Sequence, residues 1–69
     1  MTLDQADSLF ANGKYSESFQ LYKEVVDKDS LNLRAIYGCG LAKFKSGNSL
    51  VALQYFDRYL AKRQEASAF

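Results

Sequence analysis

Proline and histidine are both absent from the chain, cysteine occurs once, and glycine occurs only at positions 13, 38, 40 and 47. Without proline, only the glycines can interrupt a helical run strongly, since the missing proline N–H and its ring clash are the severest breaks available. Without histidine, the commonest general base near neutral pH and the commonest metal ligand are gone. A lone Cys39 excludes an internal disulfide framework and fits a reducing compartment, so a cytoplasmic location is expected. Charge of one sign is also lacking: nine Lys and Arg against eight Asp and Glu give a net charge of +1, so no global field draws in nucleic acid or an anionic surface. No apolar run reaches the length of a membrane span, and the opening MTLDQADSLF has neither the basic region nor the unbroken apolar stretch of a signal peptide. Membrane insertion is therefore not expected, and an exported form would be one whose leader has already been removed.

What is present is an ordinary globular composition, 48% hydrophobic and 25% charged, which separates the chain from disordered sequences. Its 69 residues lie near the lower limit for an independent core, because small domains bury a smaller share of their surface. Asn12-Gly13 and Ser46-Gly47 each follow a run of helix formers and precede another, the pattern of a helix closing on a left-handed residue. The chain is thus expected to be all-α, with helices near residues 3–12, 16–28, 31–45 and 49–63. Thr2 with Gln5 offers a capping box for the first helix, and Ser16, Ser30 and Asn48 are the caps expected for the other three.

Sliding the chain on itself by the spacing of Gly13 and Gly47, 34 residues, also superimposes Phe10 on Phe44. The same shift pairs Ala6 with Gly40, Ser18 with Ala52, Phe19 with Leu53, Tyr22 with Phe56 and Val26 with Leu60. Small meets small and large apolar meets large apolar, although only Phe10, Gly13, Gln20 and Lys28 are identical to their mates. A helix pair of this period, with small, glycine, small and aromatic positions in this order, resembles the tetratricopeptide repeat (TPR) family. Gly40, Gly47, Ala52 and Phe56 match its pattern in the second copy, as Ala6, Gly13, Tyr15 and Tyr22 do in the first. Ser30 and Gln64 stand where that family usually has proline, Ser49 where it has tyrosine and Ser18 where it has alanine. The resemblance implies antiparallel helix pairs stacked as a short α-solenoid: a first pair in residues 1–30, a second in 31–64, and a tail, 65–69, that opens a third repeat or a capping helix.

Several stretches imitate reactive motifs. Gly38-Cys39-Gly40 is followed three residues on by Lys43 and lies inside a helical run, so it lacks both the third glycine and the strand of a dinucleotide-binding loop, and it is no Walker loop either. Glycine within a helix costs roughly 0.5–1 kcal/mol relative to alanine, and close approach of a neighbouring helix is the expected compensation. Asp27 to Asn32 opens like a calcium loop but has Leu31 at a ligand position and Asn32 in place of the turn glycine. Cys39 has no histidine to activate it, and the serines and aspartates have no base with which to form a triad. No catalysis, cofactor or metal is expected.

The surface then carries the function. Helical register puts Leu3, Asp7 and Phe10 on one side of the first helix and Arg34, Tyr37, Leu41, Phe44 and Lys45 on one side of the third. In the TPR family this side lines a concave groove, so the resemblance implies a peptide-binding groove with an apolar, aromatic floor; the bland alternative is that these residues are core. The family's chaperone clamp is not carried over, because Leu3 and Asp7 replace its lysine and asparagine and Gly38 replaces its second asparagine. In the fourth helix, apolar residues including Val51, Leu53, Tyr55 and Tyr59 spread over an arc of roughly 200°, wider than one core contact needs. They are expected at an exposed end or assembly surface. Two readings stay open: a non-enzymatic module that binds a protein or peptide partner, and a structural element that self-associates as a homo-oligomer or forms part of a longer array. Nucleic-acid binding through Arg34, Lys43 and Lys45 is disfavoured by the small net charge.

Overall fold

The computed structural model describes residues 2–67, and side chains from position 3 to 64. Four helices follow one another: α1 (Thr2–Ala11), α2 (Tyr15–Lys28), α3 (Leu33–Lys45) and α4 (Ser49–Ser67). No strand occurs among the described residues. α1 packs on α2, α2 on α3 and α3 on α4, with only slight contact between α1 and α3. The fold is therefore all-α, a stack of two helical hairpins.

The two hairpin turns are the same structure, 34 residues apart. Gly13 and Gly47 have positive φ angles of 80° and 91°, a conformation glycine adopts without steric cost. The Gly13 N–H donates to the Phe10 carbonyl at 3.0 Å and the Lys14 N–H to Leu9 at 2.9 Å; their counterparts are Gly47 to Phe44 at 3.1 Å and Asn48 to Lys43 at 2.8 Å. This pair of bonds is the Schellman closure, which satisfies carbonyls the helix end would leave unpaired. It reverses the chain within three residues and fixes each helix antiparallel to the next.

Helix starts differ from the expected ones in informative ways. α2 begins at Tyr15, with Lys14 in the cap position and no side-chain cap bond, so Ser16 is already inside the helix. The cap position after this Schellman turn falls to lysine, whose side chain has no acceptor for the free N–H groups of the first turn. α3 starts later than expected: Asn32, not Ser30, is its cap, accepting from the Ala35 N–H at 3.1 Å. Asp29 uses its carboxylate on the Leu31 N–H at 3.2 Å, and that local turn holds residues 29–31 out of the helix. Asn48 does precede α4, its carbonyl accepting from Ala52 N–H at 3.0 Å. The Thr2 side chain and the last two residues of the tail lie outside the described residues, while residues 65–67 prolong α4 without a break.

The core forms where α2, α3 and the hairpin partners meet. Ala6, Ala35, Ile36, Cys39 and Ala42 are wholly buried, with Phe19, Tyr22 and Val26 nearly so. Ala35, Gly38, Cys39 and Ala42 share one side of α3, within about 100° of arc. This run of small residues lets α3 lie close to α2. A Cβ built on Gly38 would come within 2.5 Å of the Tyr22 ring, and one on Gly40 within 2.5 Å of the Phe56 ring. The Gly-Cys-Gly stretch is thus a double packing notch, one glycine for each neighbouring helix. Ser18, the departure from the repeat pattern noted above, is wholly buried, and its hydroxyl donates to the Ala6 carbonyl at 3.0 Å, tying α2 to α1. No described helix is long and apolar enough to cross a membrane.

Candidate interaction surface

The residues expected to line one groove divide into two groups. In the first hairpin, Leu3 and Phe10 are half-buried against the core, and Phe10 meets Tyr15 edge-on with ring centroids 5.2 Å apart. The Asp7 carboxylate accepts hydrogen bonds from the Tyr22 hydroxyl and from the Arg34 guanidinium. The Tyr22 bond, with a smaller contribution from Arg34, holds the Asp7 carboxyl below its ordinary value of 3.8, against the opposing effect of burial. Burial, reinforced by the Asp7 charge, pushes the Tyr22 phenol up to about 12. Asp7 and Arg34 therefore satisfy each other across the α1–α3 junction, and this half of the groove is occupied by the molecule's own bonds.

In the second hairpin the same side is open and apolar. Tyr37 and Phe44 are exposed, Leu41 is half-buried, and Lys45 is in solvent. Tyr37 leans over α4, its ring 5.7 Å from that of Phe56 and 5.1 Å from that of Tyr59. Phe44, Ser49, Leu50, Ala52, Leu53 and Phe56 line an apolar pocket of about 300 Å³. Among the described residues, five of the six large hydrophobic side chains that stay exposed belong to α3 or α4: Tyr37, Phe44, Leu50, Leu53 and Leu60, with only Leu31 elsewhere. These exposed side chains are clustered on one part of the molecule and not scattered singly over it. A larger depression of about 430 Å³ between α1 and α2 is lined by two polar and two apolar residues, Gln5, Ser8, Leu9 and Leu21.

The residues expected at an exposed end fare unequally. Leu53 is exposed, but Tyr55 turns inward to meet the Phe19 ring edge-on at 5.8 Å, and burial raises its phenol pKa. Tyr59 is half-buried beneath Tyr37, and half-buried Val51 shares a small pocket with Gln54, Tyr55 and Arg58 on the far flank of α4. The exposed large apolar side chains of α4 are Leu50, Leu53 and Leu60, with half-buried Phe56 among them. The repeat pairing was the signal for them, since Leu53, Phe56 and Leu60 are the mates of Phe19, Tyr22 and Val26.

Other candidate groups are engaged within the fold. Lys43 lies over the Phe19 ring at 4.2 Å from its centroid, Arg58 stands over Tyr55 at 5.4 Å, and Arg34 is bound to Asp7. Cys39 is buried, and loss of solvent pushes its thiol up to about 12, so it carries almost no thiolate at neutral pH. Comparisons with protein-family models, with curated proteins and with solved structures found no match.

Proposed function

We propose that this chain is a non-enzymatic protein-interaction module, built as two TPR-like hairpins, that captures an apolar peptide or protein segment on the α3–α4 side with Tyr37, Leu41 and Phe44 as anchors. The observation that carries this reading is the concentration of exposed large apolar side chains on that side, next to a pocket of about 300 Å³, while the equivalent side of the first hairpin carries the Asp7–Arg34 ion pair. The identical glycine turns support the repeat kinship. The inert, buried Cys39 fits a reducing, cytoplasmic setting and a protein without a catalytic thiol.

Each well-buried anchor contributes on the order of 1.5–3 kcal/mol of transfer free energy, less the ordering of the bound segment. Selecting peptides from a random display library on the purified chain, then measuring their affinity for a Tyr37→Ala/Phe44→Ala variant, tests the assignment. Both side chains are exposed, so the variant keeps its helical circular dichroism. Its affinity is expected to fall by about tenfold or more, equivalent to about 1.4 kcal/mol. Equal binding by the variant, or no selected binder at all, removes the reading.

A further inference from the structure

The open face of α4 has an occupied counterpart inside the same molecule. Phe19, Tyr22 and Val26 of α2 share one buried cluster with Ala35, Cys39 and Ala42 of α3, which lays this small-residue side into the first hairpin, while Tyr55 of α4 also meets the Phe19 ring. Gly38 is the shape-determining contact, because the Tyr22 ring fills the space its Cβ would take. One repeat later Leu53, Phe56 and Leu60 present the same register, and among the described residues Leu53 and Leu60 stay exposed. The covered interface thus shows what form of chain closes such a face.

Resting on the interaction reading above, we propose that the open α3–α4 face receives an α-helix of another protein, docked as α3 docks on the first hairpin. The partner helix carries small residues at positions i, i+3, i+4 and i+7, with glycine or alanine at i+3 against Phe56. One feature of the counterpart is not repeated. Where Arg34 of α3, at position i−1, meets Asp7, the second hairpin offers Leu41, and where Tyr22 offers a hydroxyl it offers Phe56. The partner therefore has an apolar residue at i−1 in place of arginine, since a cation set against Leu41 would lose water with no carboxylate to meet it.

A second copy of this chain fits the face poorly as a head-to-tail neighbour. Its own small-residue side is buried within its core, and its first helix carries Asp4, Gln5 and Ser8, all exposed, at the register of Gly38, Cys39 and Ala42. Head-to-tail stacking would press those polar groups onto Phe56 and its neighbours. The N-terminal face is polar and the α4 face apolar, so the two are not complementary.

The probe is a synthetic helix with the α3 sequence, residues 33–45, carrying Arg34→Leu and Cys39→Ala and stapled on its outward side. It is titrated into the intact chain by fluorescence anisotropy, with amide shifts recorded by NMR. Binding is expected, with shifts centred on residues 50–60, and weakening of about tenfold or more both for Leu53→Asp in the protein and for Gly38→Leu in the probe. Leu53 is exposed, so the protein variant retains its fold. Absence of binding up to about 1 mM, or equal binding of the Gly38→Leu probe, overturns the helical occupant. A dimer in sedimentation equilibrium that Leu53→Asp dissolves overturns it in favour of a second copy. If display-selected peptides still need Tyr37 and Phe44 while the stapled helix does not bind, the interaction reading stands and only the helical occupant is lost.

Discussion

α2 and α4 hold the same place in their hairpins, yet their corresponding side chains meet opposite surroundings. Phe19, Tyr22 and Val26 are 8%, 5% and 5% exposed, whereas Leu53 and Leu60 at the same register are 57% and 51% exposed. Sequence class at these positions is nearly the same, so composition does not decide the difference. The neighbour does: α3 lies over the first set, and no described element lies over the second. In a stack of repeats each face is completed by the next unit, and energetics divide into terms within a hairpin and terms between hairpins. Here α2 and α3 make the term between the hairpins, and no described element makes a second such term on α4.

Mutating mates sharpens this contrast, and the largest effect is expected at Phe19 and Leu53. A buried phenylalanine truncated to alanine costs about 3–5 kcal/mol through lost burial and the cavity left behind. A chain of this size has roughly 3–10 kcal/mol of stability in total. Phe19→Ala also removes the ring on which Tyr55 and Lys43 rest. It is expected to leave the chain largely unfolded at 37 °C in a thermal melt followed by circular dichroism. Leu53→Ala is expected to move stability by less than about 1 kcal/mol. Equal losses in urea titrations would mean that the face of α4 is covered in solution, and the contrast between the helices would break.

A finer contrast lies in the two glycines of α3. An alanine Cβ at either position would stand 2.5 Å from an aromatic carbon. The Tyr22 ring is buried and its hydroxyl is bonded to Asp7, so it has nowhere to go. The Phe56 ring is half-buried beside an open pocket and can swing outward. Gly38→Ala is therefore expected to destabilise by about 1–3 kcal/mol, an overpacking cost. At Gly40 the gain in helix propensity, roughly 0.5–1 kcal/mol, offsets the smaller strain and leaves stability nearly unchanged. A Gly40→Ala loss as large as that of Gly38→Ala would show Phe56 to be as confined as Tyr22.

The hairpins, the 34-residue period and the helical class were legible because their signals are local. Gly13 and Gly47 report a backbone conformation, and glycine inside a helix reports crowding. Helix starts were less legible where cap formers crowd together: Asp29, Ser30 and Asn32 can all cap, and only the Asp29 side-chain turn selects Asn32. The inward turn of Tyr55 and Tyr59 was hidden by the breadth of the apolar arc on α4, since a helical wheel shows how wide a face is and not which edge a neighbour covers. Register set Asp7 and Arg34 on matching sides of their helices, but their pairing spans 27 residues and exists only after α3 has packed, and the Tyr22 bond to Asp7 spans 15 and needs α1 folded onto α2. Ser18 looked like a lapse from the repeat pattern and instead supplies a buried bond to Ala6.

The smallest expected effect makes the first hairpin chemically like the second. Tyr22→Phe copies Phe56 and removes the hydroxyl bond to Asp7, at a cost of about 0.5–1.5 kcal/mol at neutral pH. The Asp7 carboxyl is held below 3.8 first by that bond, so in the wild type the unfolded chain binds more protons than the folded one between 3.8 and the lower folded pKa. Stability from Asp7 is then fully present above pH 3.8 and is lost as pH falls through the folded value. In Tyr22→Phe the carboxyl keeps only the weaker pull of Arg34 against burial, so there is less stability to lose on acidification. Urea titrations from pH 7 down to about pH 2 should show wild type and variant converging below about pH 4. A gap that stays constant with pH would mean that the Tyr22 hydroxyl does not favour the ionised Asp7 carboxyl over the protonated one, and the low Asp7 pKa would then rest on Arg34 alone.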